Sequence, residues 1–82
     1  MIAGLEWIRH GETITRSIEC IDFMTAIELV GKVAVISEKM DHHPDIEIRW
    51  RTVTFSLTTH STGTITELDL MLARQIDALF ES

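Results

Sequence analysis

The sequence predicts an α+β domain, an antiparallel sheet with helices packed on one of its faces. Two periodicities and their order carry this. Apolar and polar residues alternate on either side of His10-Gly11-Glu12, from Leu5 to Cys20, and again, with one slip of phase, from Ile46 to Leu57, the period of a half-buried strand. From Phe23 to Ser37, and from Leu68 onward, apolar residues recur every three to four positions, the period of a helix. The elements follow in the order β-β-α-β-α.

The first strand runs through Leu5 and Trp7, which alternate with Glu6 and Ile8. His10-Gly11-Glu12 is a short glycine-containing hairpin loop. In the second strand Ile14, Ile18 and Cys20 alternate with Thr13, Thr15, Ser17 and Glu19, and Arg16 falls on the apolar side. Asp22 is the expected N-cap of a helix whose face is Phe23, Ala26, Ile27, Val30, Val33, Ala34 and Ser37. Gly31 inside that helix suggests close approach by a neighbouring element. Pro44 biases His43 away from helical dihedrals, so the helix is expected to end at about residues 40–42.

A long extended segment follows. Ile46, Ile48 and Trp50 share one parity, and Val53, Phe55 and Leu57 share the other. One continuous strand would turn these two sets to opposite faces, so a bulge or kink is expected at Arg51-Thr52. Residues 59–64 are a loop by composition. Thr66, with Asp69 three positions on, resembles a capping box with Asp in place of Glu or Gln. Leu68, Leu72, Ile76 and Leu79 are the stripe of the last helix.

At 82 residues the chain is one domain, residues 1–82. With 7 Lys and Arg against 13 Asp and Glu, its net charge of -6 argues against nucleic acid and anionic membrane surfaces as direct partners. The one cysteine, Cys20, forms no internal disulfide, and no apolar run approaches a membrane span. The start of the chain lacks the features of a signal peptide, so a cytoplasmic location is expected. A domain this small buries only about 60% of the surface its unfolded chain exposes, which favours a homo-oligomer.

The residues able to carry chemistry cluster at two junctions. His42 and His43 lie where a helix gives way to a strand, and His60 lies in the loop where that strand ends. Thirteen extended residues span about 40 Å. The two sites can therefore meet only across a kink, a neighbouring strand or an oligomer. Each residue also has a plain structural reading. Paired histidines at a helix C-terminus offset the helix dipole. His60 in a polar loop is solvated, and Asp69 is a helix N-terminal acid. Glu38 pairs with His42 at i,i+4, while Trp50 and Phe55 belong to the core. His42, His43, His60 and Asp69 are all legal zinc ligands. Against a metal site, the chain has no His-x3-His and no cysteine pair.

Glu38-Lys39-Met40-Asp41-His42-His43-Pro44, then Trp50, then Thr59-His60, then Gly63, Thr66 and Asp69, resembles the pterin-4a-carbinolamine dehydratase family. The pattern joins four separated blocks, which makes it more specific than His-His-Pro alone. There are two departures. The helix that usually precedes the position of Leu5 is expected to be missing, and Ile46 replaces an aromatic often found two residues after His-His-Pro.

The resemblance implies elimination of water from a 4a-hydroxytetrahydropterin to give a quinonoid dihydropterin. It assigns His42 and His60 as the acid–base pair, His43 to orienting the pterin, and Asp69 to fixing the loop that bears His60. Glu38 holds His42 or contacts the pterin. The pterin lies against Glu38, His42, His43 and Pro44 on one side and Thr59, His60, Ser61 and Thr62 on the other. No metal and no cofactor is implied, and a homodimer or homotetramer is. The family also contains non-catalytic interaction modules, which is the alternative function.

Overall fold

The computed structural model describes residues 7–79. Leu5 and Glu6, the start of the first expected strand, lie outside the described residues. Strand β1 (Ile8–His10) turns through Gly11 and Glu12 into β2 (Thr13–Glu19). Helix α1 (Phe23–Met40) follows, then β3 (Asp45–Arg49), β4 (Thr52–Leu57) and helix α2 (Glu67–Ala78). The sheet has the order β1-β2-β4-β3, and every neighbouring pair is antiparallel.

The α+β class and the antiparallel sheet are as expected, but the long extended segment is a hairpin of two strands. In a hairpin with a two-residue turn, paired positions sum to an odd number, so residues facing one another have opposite parity. Ile46 pairs with Phe55 and Ile48 with Val53. The parity slip is thus the mark of a chain reversal, and no bulged continuous strand exists there. β1 and β2 obey the same rule, with His10 opposite Thr13. Both turns open on a left-handed residue, Gly11 at φ 60 and Trp50 at φ 55. The first carries the expected glycine, whereas the second places a bulky residue where glycine or asparagine is favoured. Trp50 is therefore no core residue: it is 72% exposed at the tip of the hairpin.

The two central strands supply the core. Ile14 and Ile18 of β2 and Val53, Phe55 and Leu57 of β4 face the helices. They meet Ala26, Leu29 and Val33 of α1 and Leu72, Ala73 and Ile76 of α2. Each large side chain removed from water in this way contributes about 1.5–3 kcal/mol. The buried stripe of α1 is Ala26, Leu29, Val33 and Ser37, which leaves Phe23, Met24, Ile27 and Val35 exposed. Gly31 is also open, since a Cβ there would meet nothing within 4 Å. The stripe of α2 includes two acids, Asp69 and Asp77, and leaves Leu68 and Leu79 partly in solvent.

Asp77 explains Arg16. The guanidinium, on the inner face of β2, forms a buried ion pair with the Asp77 carboxylate, which also accepts the Trp7 indole N–H at 2.9 Å. On the opposite, open face, Thr15 and Ser17 of β2 face Ser56 and Thr54 of β4, hydroxyl to hydroxyl. Among the described residues no helix is long and apolar enough to cross a membrane.

The two aromatic residues of the second hairpin should respond oppositely to truncation. Phe55→Ala should lower unfolding stability by roughly 3–5 kcal/mol. Trp50→Gly should leave it unchanged or raise it by up to about 1 kcal/mol, because glycine adopts positive φ without steric cost and the exposed indole packs little. Urea unfolding of both variants at one protein concentration checks this pair of outcomes.

Candidate active site

The site is assembled at the ends of three elements. Helix α1 stops at Met40 because Asp41 turns left-handed (φ 52, ψ 43). The amide of Asp41 then reaches the Glu38 carbonyl, and the amide of His42 reaches the Ser37 carbonyl at 3.1 Å. This is the Schellman pattern, with Asp in the place usually taken by glycine. It swings His42 inward and His43 outward. Pro44 then leads into β3, where Asp45 pairs with Ser56 near the end of β4. Hairpin closure thus carries the end of α1 back to the residues just beyond β4, so no kinked strand is required.

Beyond β4 the chain forms a tight loop. The Thr59 amide bonds the Thr64 carbonyl at 3.0 Å, and the Thr59 carbonyl accepts the amides of Thr62 and Gly63. His60, Ser61 and Thr62 are exposed on this loop. The β1–β2 turn braces it from outside: the Glu12 carbonyl accepts the Thr58 hydroxyl at 2.6 Å, and the Glu12 carboxylate accepts the Thr64 hydroxyl. Thr66 then caps α2, its side chain accepting the Leu68 amide, and the capping box with Asp69 is formed as expected.

Asp69 joins these parts. Its carboxylate is fully buried. One oxygen lies 2.5 Å from His42 Nε2. The other accepts the Thr59 hydroxyl at 2.7 Å and the Thr66 amide at 2.8 Å. Burial by itself raises a carboxyl pKa, but here the hydrogen bonds from His42, the Thr66 amide and the Thr59 hydroxyl, with the charge of His42, outweigh it. The Asp69 carboxyl is held below its ordinary value. The result is an ionised carboxylate behind an imidazole, an arrangement suited to holding a proton-transfer group in one orientation.

The structure therefore brings His42, Thr59 and Asp69 together and places His60 next along the chain from Thr59. Glu38 does not hold His42. It lies 2.5 Å from Nε2 of His43, at the exposed surface. Glu12 and Thr64, which brace the His60 loop, carry no sequence signal, because their contact spans 52 positions. Among the described residues no three His, Cys, Asp or Glu side chains are grouped so as to hold a metal ion.

Comparison with known proteins agrees with this fold and gives the family. The sequence model of the family described as "Pterin 4 alpha carbinolamine dehydratase" matches residues 2–79. A protein of Nocardia farcinica named "Putative pterin-4-alpha-carbinolamine dehydratase" is 54% identical over 74 residues, covering 90% of this chain and 78% of its own. One of the same name from Mycobacterium tuberculosis is 53% identical over 74 residues, covering 90% and 79%. The crystal structure of a "transcriptional coactivator/pterin dehydratase" from Brucella melitensis superposes with a TM-score of 0.83 at 39% identity, over 89% of this chain and 80% of that one. A pterin dehydratase-like protein identified as a RuBisCO assembly factor in the alpha-carboxysome shares the fold, with a TM-score of 0.74 at 18% identity, over 93% of this chain and 88% of that one.

Because the Asp69 carboxyl is held low in the folded state, its contribution to stability is present above the unfolded value, about 3.9. That contribution is lost as pH falls through the lower, folded value. Asp69→Asn should cost about 1–3 kcal/mol at pH 6, since a buried donor loses its anionic acceptor. The gap between the two proteins should narrow as pH falls below about 4. Urea unfolding midpoints measured across that range test this.

Proposed function

The chain belongs to the pterin-4a-carbinolamine dehydratase family, and from that premise and the site we propose that it eliminates water from a 4a-hydroxytetrahydropterin. The observation that carries this reading is the buried Asp69 carboxylate behind His42, on the same scaffold as the loop that bears His60. The reaction breaks the C4a–O bond and releases water. One proton is delivered to the leaving hydroxyl, and one is removed from a ring nitrogen as the quinonoid dihydropterin forms. Imidazole suits both transfers, because its ordinary pKa near 6.5 keeps both forms available at neutral pH.

In this reading His42 and His60 are the acid–base pair on either side of C4a, and His43 orients the pterin. Glu38, 2.5 Å from His43, supports that orientation. The pterin lies against Pro44 and the exposed loop residues His60, Ser61 and Thr62, with Thr59 buried beneath them. Ile46, 38% exposed at the edge of the sheet, stands where an aromatic would offer a stacking surface. The site chemistry calls for no metal or redox cofactor.

A second reading, an interaction module on the same fold, is favoured by the apolar side chains that α1 leaves in solvent. Phe23, Met24, Ile27 and Val35 are exposed around the open Gly31. We assign this surface to contact between copies of the chain, giving a homodimer or homotetramer, with the strands at the sheet edges as the other mode of association.

Freshly generated 4a-hydroxytetrahydropterin is the substrate that decides between the readings. His42→Ala and His60→Ala should each slow dehydration roughly 10²–10⁴-fold, and treatment with a chelator should leave the rate unchanged. Full activity in the double variant, or zinc-dependent recovery after chelation, would overturn the mechanism. A folded wild-type protein with no turnover would favour the interaction module.

Light scattering should give the mass of a dimer or tetramer. A monomer from micromolar to millimolar concentration would rule out the assembly.

A further inference from the structure

The hydrogen-bond geometry points to Thr59 as a positioning residue that acts through Asp69 to fix the tautomer of His42, so that the atom His42 offers to substrate is Nδ1. The inference deepens the proton-transfer reading of this site and rests on it for its catalytic consequence. Its structural half stands alone.

The argument is an accounting of hydrogens. The Asp69 carboxylate receives hydrogen bonds from the Thr59 hydroxyl and the Thr66 amide on one oxygen. Its other oxygen faces His42 Nε2 at 2.5 Å. An ionised carboxylate can only accept, so the hydrogen in that contact sits on Nε2. A neutral imidazole has one N–H, so its lone pair is then on Nδ1. The ring is largely enclosed, with His42 9% exposed. Yet Nδ1 is not among the buried side-chain atoms that lack a partner. Nor does it bond any described residue. The lone-pair nitrogen therefore keeps some contact with solvent and bonds no described residue, which leaves it for a substrate proton.

Thr59 is what orients the carboxylate. Its hydroxyl has a single hydrogen, directed at Asp69 Oδ2, so the Thr66 hydroxyl 2.6 Å away donates to Thr59 in turn. Without that hydroxyl, Oδ2 keeps only the Thr66 amide, and the carboxylate loses the bond that ties its orientation to the loop. Thr59 also closes the His60 loop through its own amide and carbonyl. One buried residue thus sets the carboxylate behind one proposed catalytic histidine and anchors the loop of the other. Buried and turned inward in this way, the Thr59 hydroxyl supports the site from behind the pterin.

Two-bond 1H–15N correlation spectra of the uniformly 15N-labelled full chain at pH 8.5 read the tautomer directly. His42 is assigned by the signal lost in His42→Gln. Wild type and Thr59→Ser should show His42 as the Nε2–H form alone. Thr59→Val, which keeps the shape and removes the hydroxyl, should lose that single pattern and show mixed tautomers. Thr59→Ala serves the same purpose if the valine variant does not fold. An Nδ1–H pattern in wild type, or an unchanged His42 pattern in whichever of these two variants folds, would overturn the proposal.

In turnover, Thr59→Val should lower kcat roughly 10–100-fold with little change in KM, a part of the 10²–10⁴ that a proton-transfer group supplies. Thr59→Ser should restore it. The spectra need no substrate, so a locked tautomer in a protein without dehydratase activity would count against the proposed reaction and leave this assignment standing.

Discussion

A carboxylate with no access to solvent must find hydrogen-bond donors or give up its charge. Asp69 meets that constraint with donors from three places: the end of α1, the loop after β4, and the cap of α2. Each of these would be an ordinary local feature by itself. Joined on one carboxylate they become a single structure, in which helix capping, loop closure and the orientation of His42 stand or fall together. The site is therefore part of the fold's own hydrogen-bond accounting and not an addition to its surface.

Helix α2 carries a second buried acid two turns later. Asp77 holds Arg16 of β2 and the Trp7 indole. Such a pair gains little over a well-packed apolar alternative, because desolvation offsets the attraction between the charges. Separating its members, however, costs about 3–5 kcal/mol. With Asp69 anchored near one end and Asp77 near the other, α2 cannot slide or rotate on the sheet without breaking one of the two clusters. The apolar stripe of Leu72, Ala73 and Ile76 supplies burial between them, and the acids supply registry.

Much of this was readable from residue order. The helix limits followed from Asp22, Pro44 and the Thr66–Asp69 box, all of which act within a few residues. The second hairpin was not readable, because a parity slip fits both a bulge and a reversal, and Trp50-Arg51 lacks the glycine or asparagine that marks a tight turn. The buried faces of both helices were displaced from the apolar stripes: Phe23 and Ile27 of α1, and Leu68 of α2, are exposed, while Asp69 and Asp77 are buried. Hydropathy cannot predict a buried acid whose partners lie on other elements. The same holds for the site. His42, His43, His60 and Asp69 were singled out by resemblance to the family pattern and are the proposed site, but the partner of Glu38, the inward hydroxyl of Thr59 and the brace from Glu12 depend on contacts that only the folded chain creates.

The two hairpin ends also make the molecule optically asymmetric. One indole, Trp7, donates its N–H to the Asp77 carboxylate beside the core. The other, Trp50, stands in water at a turn. With its indole in water, Trp50 is expected to emit much as it would in an unfolded chain and to contribute a nearly constant background. The change in tryptophan fluorescence on denaturation is then expected from Trp7, whose indole should report the release of the far end of α2 from the sheet.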